Sequence, residues 1–251
     1  MTQYLLKYTL HLADNALIIG HRNSEWCGHG PVLEQDIAIS NIALDCIGQA
    51  RNFYQYAATL SGNGATEDSL AYLRDAIEYK NCLLVELPNG DWAQTILRQF
   101  FFSTYQYFLY RQLQNSSDTQ LAAIAEKALK EVTYHLRWSS EWVIRLGDGT
   151  NESKQRMLNA IDEVWTYTGE MFIPGSYELQ AVKDGYGVDV KTIQADWLQK
   201  VTAVFEEATL PMPAENSWMQ TGGKEGNHTE YLGFILAEMQ FLQRAYPGAE
   251  W

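Results

Sequence analysis

The stretch KEVTYHLRW, residues 130–138, sets Glu131 and His135 four residues apart. On a helix that spacing is about one turn, so both side chains project from one face. A carboxylate and an imidazole placed in this way can share a metal ion. A carboxylate-bridged pair of metals asks for more. It needs a Glu from each of two helices and Glu-x-x-His from each of two others, enough ligands to neutralise and coordinate two cations in a dry core. The other candidate ligands are Asp14 with His21 and Glu25, which fall on one side of a helix, and Asp45 in the stripe Asn41, Asp45, Gly48 and Asn52.

The ligand count falls short of that plan. Gly48 stands where a His should follow Asp45, and Tyr134 where one should follow Glu131. Residues 92–114 contain no acid at all. The expectation is therefore that Glu131 and His135, with Asp45 or Asp14, form a buried polar network where a metal centre would otherwise lie. Asp14, His21 and Glu25 read as a polar stripe facing solvent or a partner. Asp45 reads as a hydrogen-bonding or ion-pairing group, with Arg51 a candidate partner. The rival reading is a stand-alone metal oxidase or oxygenase with Asp45, Glu131 and His135 as ligands.

Other chemistries are thin. There is no GxSxG, Walker A or GxGxxG motif. The segment TGGKEGNHTE, residues 221–230, is glycine-rich and leads into a helix, with Asn227 as expected N-cap and Glu230 three residues on. Such a helix entry can hold an anion, which makes Lys224 and His228 candidate anion contacts; a plain turn with a cap is the simpler reading. The net charge of −13 argues against binding nucleic acid or an anionic membrane surface. Three cysteines without a CxxC pair argue against a disulfide framework or a four-cysteine zinc site, and fit a reducing cytoplasm. No secretory signal and no membrane span are expected.

The elements that must position these residues read as helices almost throughout. Long helices are expected over 3–27, 32–61, 92–114 and 119–146, with Asp91 and Asp118 as N-caps of the last two. A shorter helix is expected at 67–80, further ones near 152–172, 191–207 and 228–246, and loop at 174–190. The 32–61 segment is apolar around much of its circumference, which predicts burial on several sides. Inward positions of 92–114 are expected to be aromatic, drawn from Phe101, Phe102, Tyr105 and Tyr107. Four long helices, paired by short loops and joined by one long connection at 62–91, predict an all-α, ferritin-like four-helix bundle with added C-terminal helices. A single domain over 1–251 is expected, with the bundle in 1–148 and further helices packed on it in 149–251.

Four blocks carry a family resemblance: HLADNALIIGHRNSEWCGHGPVLEQDIAISNIALDCIGQARNFYQYAA, VELPNGDWAQTILRQFF, KALKEVTYHLRWSSEWVIRLGDGT and TGGKEGNHTEYLGFILAEMQFLQR. In order and nearly end to end, they resemble the PaaC-type subunits of bacterial phenylacetyl-CoA epoxidases, the 1,2-phenylacetyl-CoA monooxygenases of aerobic phenylacetate catabolism. The resemblance implies a ferritin-like fold and a structural role. It implies an A-type catalytic subunit as partner, carrying the di-iron site that inserts one oxygen atom of O2 into the aromatic ring. It further implies a small B-type subunit, and a reductase with FAD and an iron–sulfur cluster. For this chain it implies no catalytic residue, no bound metal and no cofactor.

Overall fold

The computed structural model describes residues 2–249. Among them the chain is helical with no strand, the all-α, ferritin-like class expected. Ten α-helices follow in order among the described residues: α1 Thr2–Ser24, α2 Leu33–Ser61, α3 Glu67–Tyr72, α4 Leu83–Glu86, α5 Trp92–Leu113, α6 Thr119–Gly147, α7 Asn151–Val164, α8 Ser176–Lys183, α9 Gln194–Glu207 and α10 Glu230–Ala245. No described helix is long and apolar enough to cross a membrane. The helices belong to two compact units, residues 2–88 with 222–249, and residues 89–221.

The first unit is built on the α1–α2 hairpin. In α2 the buried positions Ile39, Ile42, Cys46, Ala50, Phe53 and Ala57 recur every three or four residues, a single apolar stripe. That stripe corrects the expectation that this helix is enclosed on several sides. Leu33, Ile37 and Leu44 are exposed, and the enclosed helix is α1, buried from His11 to Gly20 without a break. The long connection after α2 is divided differently from the expected single helix over 67–80. Thr66 caps α3 by accepting from the Ser69 amide at 3.1 Å. The helix stops at Tyr72, short of the expected 67–80, a 3₁₀ turn spans Ala76–Glu78, and α4 forms where no helix was expected. The C-terminal helix α10 holds this connection. Gln240 Nε2 donates to the Arg74 carbonyl at 2.9 Å, Arg244 Nη2 donates to the same carbonyl at 2.9 Å, and Arg244 pairs with Asp75 at 3.0 Å. α10 is capped by Thr229, whose hydroxyl accepts from the Tyr231 amide at 3.3 Å, rather than by the expected Asn227.

The second unit is built on the α5–α6 hairpin. Both expected caps are present. Asp91 accepts from the amides of Ala93 and Gln94 at 2.9 and 3.1 Å, and Asp118 from those of Gln120 and Leu121 at 3.1 and 2.9 Å. Trp92 meets Trp138 and Trp142 edge-on, with ring centroids 6.1 and 6.0 Å apart. Phe101 packs among Trp165, Trp197 and Phe205 at centroid distances of 5.6, 5.7 and 6.0 Å, and Trp197 Nε1 donates to the Phe101 carbonyl at 2.9 Å. Two boundaries differ from the sequence reading. α7 ends at Val164 and continues only as 3₁₀ turns over Trp165–Tyr167 and Gly169–Phe172. The expected loop at 174–190 contains α8, which starts where Glu178 Oε2 accepts from the Gly175 amide at 2.7 Å and buries Tyr177 and Ala181.

Candidate functional site

Two carboxylates in the first unit, Asp14 and Glu86, have no exposure at all. A buried carboxylate is costly unless donors and an opposite charge surround it, and both are surrounded. Asp14 Oδ1 accepts from the Tyr54 hydroxyl at 2.6 Å and from Arg74 Nη2; Oδ2 accepts from Arg74 Nη1 at 3.1 Å and the Lys80 amide at 2.8 Å. Those donors fill the roughly four acceptor positions of a carboxylate. The bidentate fork suits arginine rather than lysine. Arg74 also lies over the Tyr79 ring, 4.1 Å from its centroid. Burial works against the charge on Arg74, but the attraction of Asp14 outweighs it and holds the guanidinium above its ordinary pKa. Burial, reinforced by the negative charge of Asp14, raises the Tyr54 phenol well above its ordinary value, so Tyr54 stays a donor. The polar stripe expected on α1 therefore does not face solvent as a set. Asp14 is buried, His21 is half-buried, and Glu25 is exposed and pairs with Arg22 at 2.9 Å.

Glu86 is the second centre. Its Oε2 accepts from Asn81 Nδ2 at 2.9 Å and lies 2.8 Å from His228 Nδ1; its Oε1 accepts from the Thr229 amide at 2.6 Å. His228 Nε2 meets the Tyr79 carbonyl at 3.0 Å, and a carbonyl only accepts, so that nitrogen carries a hydrogen. The Nδ1 contact with Glu86 needs one hydrogen, carried either by the imidazole or by the carboxyl group. The glycine-rich segment wraps tightly over this centre. A Cβ on Gly223 would lie 2.4 Å from the Asn81 carbonyl oxygen, and one on Gly226 would lie 2.3 Å from that of Ile77. Lys224, only 3% exposed, and His228, with 4% of its side chain exposed, are thus drawn into the packing of this segment rather than offered to solvent.

The remaining candidates are dispersed. On α6, Glu131 is half-buried and His135 fully buried, and the His135 carbonyl accepts from the Ser139 hydroxyl at 2.7 Å. Asp45 is half-buried on α2, and its suggested partner Arg51 instead lies 3.6 Å from Glu67. Cys27 is exposed and Cys46 and Cys82 are buried, with no disulfide among the described residues. Among the described residues no group of three or more His, Cys, Asp or Glu side chains is placed to hold a metal ion. The interior of α5 is buried without interruption from Thr95 to Gln106. Phe101, Phe102 and Tyr105 are inside as expected, whereas Tyr107 is half-buried. The expectation of an apolar interior needs correcting, since Arg98, Gln99, Ser103 and Gln106 are buried alongside the aromatics. Gln99 Nε2 donates to Ser103 Oγ at 2.7 Å, an amide–hydroxyl pairing that carries no charge.

Sequence reasoning missed Arg74, Tyr54 and Glu86. Glu86 had a readable signal, a lone acid in the apolar run CLLVELP. Arg74 had none, because its partner lies sixty residues away on α1.

Comparison with known proteins adds two findings. The profile of a family described as "Phenylacetic acid catabolic protein" matches residues 1–251. The chain is also 50% identical, over 98% of its length and 99% of the relative's, to the Escherichia coli K12 protein named as the C-type subunit of 1,2-phenylacetyl-CoA epoxidase.

Proposed function

The chain belongs to the phenylacetic acid catabolic protein family, and on that premise we propose that it is a non-catalytic, C-type subunit of a cytoplasmic phenylacetyl-CoA epoxidase. It pairs with a di-iron A-type subunit and supports that subunit's fold, in a complex completed by a B-type subunit and a reductase with FAD and an iron–sulfur cluster. The chain itself uses no cofactor. The observation that carries this reading is the 50% identity, over nearly the full length of both chains, with a relative that bears the C-type name.

The side-chain chemistry supports the same reading. Asp14, the acid best enclosed on α1, spends its acceptor positions on Tyr54, Arg74 and Lys80. α5, one of the four long helices, presents amides, hydroxyls and aromatics to the interior, with no acid from Trp92 to Leu113. A di-metal site draws a carboxylate from each of its four helices, so this interior suits a subunit that supports rather than ligates.

Association is the direct consequence. Mixed with the A-type subunit of the same system, the chain should co-elute in gel filtration through an interface of the obligate size class, about 2,000 Å² or more. Separate elution of the two chains at micromolar concentration would remove the proposal.

A further inference from the structure

The second unit contains a cavity of about 340 Å³. Its walls include Trp165, Phe172, Trp197, Leu198, Met212 and Met219. The volume is the share of about eleven waters at roughly 30 Å³ each, and lies within the range of small-molecule sites. The aromatic rings are fixed by one another. Trp165 and Trp197 lie 5.9 Å apart between centroids, and Phe172 meets Trp197 at 5.2 Å. The two methionines offer adaptable, polarisable surface.

One wall residue carries an unsatisfied polar atom. Trp165 is 8% exposed, and its Nε1–H is a buried donor with no acceptor among the described residues. Its neighbour Trp197 shows the ordinary arrangement, its own N–H donating to the Phe101 carbonyl at 2.9 Å. A buried indole N–H without an acceptor is costly, and an acceptor brought by a ligand removes that cost. Of the residues lining the cavity, Glu215 alone carries charge, and it is negative. An anionic ligand is therefore disfavoured, and a neutral acceptor such as a carbonyl oxygen suits the site.

We propose that this cavity binds a neutral aromatic carbonyl compound, its ring lying against the apolar wall that Trp165, Phe172 and Trp197 form together and its oxygen accepting from Trp165 Nε1–H. The probe is acetophenone, with benzoate as the anionic control, titrated against the full chain by saturation-transfer NMR. Two substitutions fill the cavity. Gly169→Leu drives side-chain atoms toward Met219, whose Cγ a Cβ at position 169 would already meet at 2.6 Å. Thr202→Phe fills the half-buried wall from α9 and leaves the 3₁₀ turn untouched. Acetophenone should saturate the wild-type chain, bind at least tenfold more weakly to each filled variant, and lose about threefold to tenfold on Trp165→Phe, the worth of one neutral hydrogen bond. Benzoate should bind at least tenfold more weakly than acetophenone. The proposal is overturned if acetophenone does not bind, if both filled variants bind it as wild type does, or if benzoate binds equally well.

Discussion

Replacing Arg74 with leucine removes the cation that neutralises Asp14. Arg74 Nη1 and Nη2 supply two of the donors to that carboxylate, the others being the Tyr54 hydroxyl and the Lys80 amide. The pair is deeply enclosed, with side-chain exposure of 9% for Arg74 and 0% for Asp14. Breaking a buried pair from one side costs about 3–5 kcal/mol, because a charge is left without its partner. The lost contact with the Tyr79 ring adds to this, and the two donors that remain on Asp14 subtract from it, so about 4 kcal/mol is expected. For a chain of this size that lowers the melting temperature by roughly 8–16 °C. The assay is thermal and urea denaturation of wild type, Arg74→Leu, Asp14→Leu and the double variant. Replacing both charges with apolar groups removes the unpaired ion, so the double variant should be more stable than Arg74→Leu alone. A loss below about 1 kcal/mol in Arg74→Leu, or a double variant as unstable as the sum of the singles, would refute the reasoning.

Three further outcomes follow from single sites. Gly226 sits at φ +90° with the Ile77 carbonyl closing on it, so Gly226→Ala should cost about 1–3 kcal/mol in urea denaturation; an unchanged midpoint would show that the segment moves aside. Asp91→Ala removes a side chain that accepts from two amides at the start of α5, and should cost about 0.5–2 kcal/mol by the same measurement. Burial lowers the pKa of His21 below its ordinary 6.5. The folded chain thus resists taking up a proton that the unfolded chain accepts. The stability from this group is complete above about pH 6.5 and is lost as pH falls through that value toward the lowered one. His21→Gln should flatten the fall in stability on acidification, and an unaltered slope below about pH 6.5 would contradict it.

What could be read from the sequence was what is local. Asp91 and Asp118 cap their helices through amides two and three residues on, and that chemistry is visible in the chain itself. The aromatic interior of α5 followed from helical spacing, except at Tyr107, which falls on the half-buried side. The cap of α10 was misplaced because several adjacent polar residues could cap it, and Thr229 is the one whose hydroxyl reaches the Tyr231 amide. Asp14 read either as part of an outward polar stripe or as part of a buried network with Glu131 and His135, because the cation that neutralises it, Arg74, lies sixty residues on. His228 read as a candidate anion contact or as part of a plain capped turn, and its partner Glu86 could not be seen because it lies 142 residues earlier. A carboxylate's fate depends on which distant donor the fold brings to it, and spacing along one helix does not carry that information.

The central claim is that this chain supports a metal-bearing partner and holds no metal of its own. Its most direct test is iron analysis, chain by chain, on the complex assembled with the A-type subunit and then separated. Iron should follow the A-type chain, leaving the present chain with far less than one equivalent. Stoichiometric iron retained by the isolated chain, and lost on Glu131→Ala, would contradict the account.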